Sequence, residues 1–136
     1  MKWFRIAIIL LAMGIGIVPH FTDCYSQEQV LILANGRTQP MKCHWTAQAE
    51  IAVAAPLVGI GAMMVVSRRK ETLRNLSVAG IISGFVVIAL PLSLIGTCTI
   101  PTHFCNTAMK PSLLALASLA IVSSLGITLL ARKAKD

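Results

Sequence analysis

Four long apolar runs, parted by short polar stretches, decide what this chain can become. They cover about 3–18, 47–66, 76–95 and 111–130. A bilayer core is crossed by roughly 20 apolar residues of helix. Lipid offers no partner to a free backbone N–H or C=O, so helix is the only workable backbone for these runs. The first run closes at Pro19, and Pro111 suits the first turn of the fourth. Pro56 and Pro91 fall inside the second and third runs and predict kinks or packing sites there. With 56% hydrophobic and 12% charged residues, the chain has too little polar surface for a soluble domain. No linker or low-complexity stretch divides it. The expectation is therefore one all-α membrane domain over 1–136, a four-transmembrane-helix bundle.

Met1-Lys2-Trp3-Phe4-Arg5 followed by an apolar run also fits a signal peptide. The next residues, Pro19-His20-Phe21-Thr22-Asp23-Cys24, provide neither a small-x-small cleavage site nor the Leu-x-x-Cys spacing of a lipoprotein. The run reads as an uncleaved helix. Charge then sets the orientation. Nine of the twelve Lys and Arg residues lie at Lys2 and Arg5, at Arg68, Arg69, Lys70 and Arg74, and at Arg132, Lys133 and Lys135. Arg37, Lys42 and Lys110 are the other three. By the positive-inside bias both termini and the 67–75 loop face the cytoplasm of a bacterial cytoplasmic membrane. The net charge of +7 therefore marks topology and contact with anionic lipid headgroups, not a nucleic-acid surface.

That orientation puts every cysteine and histidine outside: Cys24, Cys43, Cys98, Cys105, His20, His44 and His103. The first outer segment, 20–46, has a strand-like run at Val30–Ala34, then Asn35-Gly36, a strong hairpin signal. Residues 37–45 would return as the partner strand, with Pro40 pushing it to an edge. A small β-hairpin over the outer helix ends is expected. The second outer segment, 97–110, is long enough only for a closed loop. Each outer segment ends in Met-Lys (Met41-Lys42, Met109-Lys110), an echo that two helical hairpins produce without duplication.

Four cysteines in an oxidising compartment admit two disulfides in three connectivities. The simplest, Cys24–Cys43 and Cys98–Cys105, closes each loop on itself and braces the hairpin. A second reading is soft-metal or haem ligation by Met41, Cys43, His44, His103, Cys105 and Met109. Thiolate, imidazole and thioether suit copper(I), zinc or iron, although the spacing matches no closed zinc module. The third is redox exchange. Four helices with a cysteine pair in each outer loop resemble, in layout, the quinone-coupled disulfide-forming oxidases. Their reactive pair has Cys-x-x-Cys spacing, which this chain lacks.

Glu50 is the one acidic residue inside a span, about one turn into the second helix by the apolar boundary. The plain expectation is an interfacial acid favoured by the helix N-terminus. The functional one is a cation or proton site, or a pair with Lys42 or Lys110. The spans carry serines but no charged pair. Gly59-Ile60-Gly61 and Gly80-x3-Gly84 offer surfaces for close helix contact, within the core or with a partner. No nucleotide loop, catalytic triad or carboxylate pair is present, so no catalytic residues are assigned.

The runs Asn35-Gly36, Met41-Lys42-Cys43-His44-Trp45-Thr46-Ala47, Leu94-Ile95-Gly96-Thr97-Cys98, Cys105-Asn106 and Met109-Lys110-Pro111 resemble the signature of an uncharacterised bacterial family. It is a domain-of-unknown-function group of small four-helix membrane proteins, and the likeness covers nearly the whole chain. Its members tend to be encoded beside ABC transporters of the macrolide-exporter type. The resemblance implies a non-catalytic accessory or interaction subunit partnered with an ABC permease, related to metal or haem. It places the family's shared residues on Met41, Cys43, His44, Trp45, Cys98, Cys105 and Met109. The alternative function is a membrane thiol–disulfide oxidoreductase coupled to quinone.

Overall fold

The computed structural model describes residues 2–25, 28 and 30–133, so Lys135 of the terminal basic cluster lies outside the described residues. In chain order it has α1 (Lys2–Thr22), β1 (Val30–Ile32), β2 (Thr38–Pro40), α2 (Lys42–Val66), α3 (Lys70–Ala89) and α4 (Lys110–Lys133). Two five-residue π-helical turns, Leu90–Leu94 and Cys105–Met109, extend α3 and lead into α4. Four helical stretches are long and apolar enough to cross a membrane, over Lys2–Thr22, Lys42–Val66, Lys70–Leu94 and Cys105–Lys133. At 1.5 Å per residue the shortest spans about 30 Å, the thickness of a bilayer core.

The helices run longer than the apolar runs. α1 passes through Pro19 and ends at Thr22. The three-residue connection 67–69 makes α2 and α3 antiparallel neighbours. α1 packs along α2 and α4, α3 along α4, and α2 more lightly along α3. One buried cluster includes Ala12, Ile15, Ala47, Ala54, Leu57, Val87, Leu113 and Ala117, and it continues into Cys24, Cys43 and Cys105. A smaller one, Ile8, Met64, Leu73 and Ile127, lies toward the end where the basic residues gather. There Arg5 Nη1 donates to the carbonyl of Ser67 at 3.2 Å. The contact puts a cation on the negative C-terminal end of α2.

β1 and β2 pair antiparallel, Val30 with Pro40 and Ile32 with Thr38. The turn differs from the two-residue form that Asn-Gly suggests. Of the pair only Gly36 takes positive φ, at 77°, whereas a type I′ turn needs it at both. The Gly36 N–H meets the Leu33 carbonyl at 2.9 Å, and the Leu33 N–H meets the Arg37 carbonyl at 2.9 Å. These bonds define a three-residue loop with a glycine bulge. The return strand stops at Pro40, short of Trp45, because Met41 is already the N-cap of α2.

α3 loses its α register where Pro91 has no N–H to offer Val87. The N–H groups of Ile95 and Gly96 both turn back to the Leu90 carbonyl at 3.1 Å. Gly96, at φ 82°, then ends the helix.

The glycines divide into inner and outer. A Cβ on Gly61 would meet Ile9 Cγ1 at 2.8 Å, and one on Gly84 would meet Ile121 Cγ1 at 2.6 Å. A Cβ on Gly80 would meet the Ser124 hydroxyl oxygen at 2.9 Å. Gly59, two residues from Gly61, has nothing within 4 Å. Gly61→Ala should therefore lower stability by about 1–3 kcal/mol through overpacking, while Gly59→Ala should not. Thermal unfolding of the two variants in one detergent checks this, and equal effects would refute the inner–outer division.

Candidate functional site: a four-sulfur cluster

Four separate pieces of chain deliver sulfur to one point. Cys24 follows the end of α1. Cys43 stands in the first turn of α2, which begins at Lys42 rather than at Ala47. Cys98 sits on the irregular segment after Gly96, and Cys105 opens the π turn leading into α4. The four Sγ atoms lie within 4.8 Å of one another. Cys43 and Cys98 are 2.8 Å apart, Cys24 and Cys105 3.2 Å, and Cys24 and Cys98 3.4 Å. All four are free thiols. The two same-loop pairs expected from spacing are thus merged into one group, whose nearest approaches cross between the loops.

Side-chain hydrogen bonds fix the Cys98 segment. Thr46 Oγ1 donates to the Gly96 carbonyl at 2.7 Å. Asn106 Nδ2 donates to the carbonyls of Cys98 at 2.6 Å and Ile100 at 2.9 Å. Thr97 Oγ1 in turn donates to Asn106 Oδ1 at 2.7 Å. Asn106 therefore clamps the loop against the base of α4, satisfying backbone carbonyls that an irregular segment would leave open. Sequence reasoning gave Asn106 and Thr46 no role of their own. A polar residue opening each cysteine-bearing helix was the available signal.

The other expected donors separate. Met41 joins the cluster's edge, with Sδ 3.8 Å from Cys98 Sγ. His103 lies beside Cys98, and its Nδ1 is buried without a hydrogen-bond partner. His44 turns away, pairing through Nδ1 with Asp23 Oδ2 at 2.9 Å and packing on Tyr25. Met109 is fully buried in the apolar core. His20 is exposed at the end of α1 against Phe21.

Electrostatics distinguish the two thiols outside the spans. Burial, followed by hydrogen bonds from Cys43, Cys105 and Cys98, pushes the Cys24 thiol well above the ordinary thiol range. Burial also opposes the Cys98 thiolate. Hydrogen bonds from Cys43, Cys24, His103 and Cys105 outweigh it and bring Cys98 down to about 7. Cys98 is also the one partly exposed member of the four.

Glu50 lies two turns into α2, on the same buried face as Cys43, Ala47, Ala54 and Leu57. It is 0% exposed, and neither carboxyl oxygen has a hydrogen-bond partner, Lys42 and Lys110 included. The helix starts five residues earlier than the apolar boundary implied, which carries Glu50 from the interface into the core.

Four membrane-length helices with a thiol cluster at one end define a small multi-pass membrane protein carrying a sulfur site. The chain belongs to the family described as Domain of unknown function (DUF4418), whose model matches residues 4–130. No curated protein and no solved structure matches it.

Two measurements follow from this geometry. In metal-free protein Cys98 should alkylate first, since the thiolate is the nucleophile. Its rate should rise with pH through about 7 and level off above, in place of the ordinary rise near 9.0. Peptide mapping after iodoacetamide pulses reads this, and uniform labelling of all four thiols would contradict it. An orphaned buried polar group costs about 1–3 kcal/mol, so Glu50→Leu should raise the thermal midpoint. A fall would mean that the carboxyl holds a cation or proton on which the fold relies.

Proposed function

We propose that the protein binds one soft metal ion between Cys24, Cys43, Cys98 and Cys105 on the extracytoplasmic face of a bacterial membrane, as an accessory subunit of an ABC-type transport complex. The observation that carries the reading is the convergence of four sulfurs from four chain segments within 4.8 Å. A tetrahedral ion with bonds of about 2.3 Å would hold its sulfurs about 3.8 Å apart, inside the range of separations here. Thiolate donors select copper(I), zinc or iron over hard cations. The donors close on a point and do not flank a plane, which favours a bare ion over haem.

Helix ends support the same reading. Cys43 and Cys105 sit at helix N-termini, where the positive end of the dipole favours thiolate. The extracytoplasmic assignment rests on the charge bias, with Arg5, Arg68, Arg69, Lys70, Arg74, Arg132 and Lys133 at the opposite end. Support for a subunit role comes from the lipid-facing side of α2. Ala52, Ala55, Gly59 and Ala62 are exposed there, and small residues let a partner helix approach closely. The ABC permease as partner follows from the sequence resemblance alone.

The second reading, a thiol–disulfide oxidoreductase, is favoured by the 2.8 Å approach of Cys43 and Cys98. Two thiols would form a disulfide there, passing two electrons and two protons to a quinone. Elemental analysis together with a thiol count on protein purified without reductant separates the readings. The metal reading predicts one ion per chain, and four thiols that react only after chelation. Two disulfides and no metal would overturn it. Loss of metal in Cys43→Ser should accompany retention of the permease on co-purification, since the α2 face does not involve sulfur.

A further inference from the structure

Three of the four thiols are closed off, Cys24 at 1%, Cys43 at 0% and Cys105 at 0% exposure. An ion reaching them from solution must pass Cys98. A cavity of about 330 Å³ opens beside it, lined among others by Leu31, Met41, Thr97, Cys98, Ile100 and His103. The hairpin and the Cys98 loop form its walls. Two further soft donors stand at Cys98 on this side. Met41 Sδ is 3.8 Å from its sulfur, and the His103 ring lies next to it. His103 Nδ1 is a buried nitrogen with no protein partner, which is unusual enough to need an explanation. A metal ion at the Cys98 sulfur would supply that partner.

We propose that Met41, Cys98 and His103 form a transfer site for copper(I), through which the ion passes between the outer solution and the four-sulfur cluster. This rests on the metal reading of the cluster and adds the ion and its route. A thioether is a neutral soft donor that favours copper(I), whereas zinc is served by thiolate and imidazole. One thioether, one thiolate and one imidazole give three soft donors to the ion. Transfer inward keeps the bond to Cys98. The bonds to Met41 Sδ and the imidazole break as bonds to Cys24, Cys43 and Cys105 form, and each incoming thiol releases its proton to water. The copper stays in the +1 state throughout, so no oxidant or reductant is needed. Cys98 belongs to both sites, which accounts for its place on an irregular loop at the cavity wall, while its three partners sit deep.

The test uses the full-length protein in detergent with copper(I) supplied as its bicinchoninate complex, comparing wild type, Met41→Leu and His103→Gln. Both the equilibrium affinity and the rate of copper transfer are read, and the same protein is loaded in parallel with zinc. Each variant should keep its copper affinity within about twofold, which also reports an intact cluster, and lose about tenfold in transfer rate. Met41→Leu should leave the zinc loading rate unchanged. Wild-type rates in both variants would overturn the transfer site while leaving the cluster reading intact. Affinity falling in step with rate would likewise overturn it, by making the two residues ordinary cluster ligands. A wild-type protein that takes up neither metal would overturn both readings together.

Discussion

Four thiols share a space in which at most one of them reaches water, and the end of the bundle is organised around that fact. Thiols are weak donors and weak acceptors, so sulfur contacts alone do not hold the Cys98 loop in place. Thr46 and Asn106 do so, by taking up the carbonyls of Gly96, Cys98 and Ile100. The sulfur geometry therefore depends on two amide and hydroxyl contacts that never touch a sulfur, in the way that metal sites depend on the groups around their ligands. The opposite displacements of Cys24 and Cys98 show what the cluster is like without an ion. One thiolate is shared among neighbours that remain protonated. A bound cation would remove the difference, since a coordinated thiol is deprotonated outright.

Holding four helix ends at such distances requires that the helices themselves approach closely. Between spans in lipid there is little hydrophobic drive, and contact comes from packing and polar bonds. Gly61 against Ile9 of α1, and Gly80 and Gly84 against Ser124 and Ile121 of α4, let the helices come together along the bundle. Gly59 makes no such contact and lies on the lipid-facing side. The same helix thus presents one glycine to the interior and another, with Ala55, to the outside. Both uses were open from spacing alone.

The four spans were legible because lipid imposes a length and an apolar composition that survive any packing detail. Their ends were not. Lys42, His44, Trp45 and Thr46 break the apolar signal of the second run, yet α2 starts at Lys42 because a helix N-terminus tolerates polar residues at an interface. That five-residue extension changes two readings at once: it puts Cys43 on a helix instead of a strand, and it sinks Glu50 into the core. Pro19 fails to stop α1, whereas Pro91 shifts α3 into a π turn. In neither case does the residue type announce the outcome. Asn35-Gly36 marked the hairpin correctly and its turn form wrongly, since the glycine alone takes positive φ. Cysteine spacing pointed to two loops. Their merger into one group depends on α1, α2 and α4 meeting side by side, which no local pattern encodes.

The up-and-down order of the bundle assigns unlike electrostatic positions to the four sulfurs. α2 and α4 begin at the cluster and bring positive dipole ends, while α1 and α3 finish there and bring negative ones. Cys43 and Cys105 lie on the former, Cys24 and Cys98 just past the latter. Two positive and two negative helix ends nearly cancel, so the dipoles alone cannot carry the negative charge of four thiolates around a copper or zinc ion. Lys42 and Lys110, adjoining Cys43 and the Cys105–Met109 turn in sequence, supply cations on the side of the anchored thiols. Charge and burial therefore agree on a division of labour. Cys43 and Cys105 are fixed by helix starts, Cys24 is sealed beneath them, and Cys98, beyond a helix end on a loop held by Asn106, is the sulfur free to exchange.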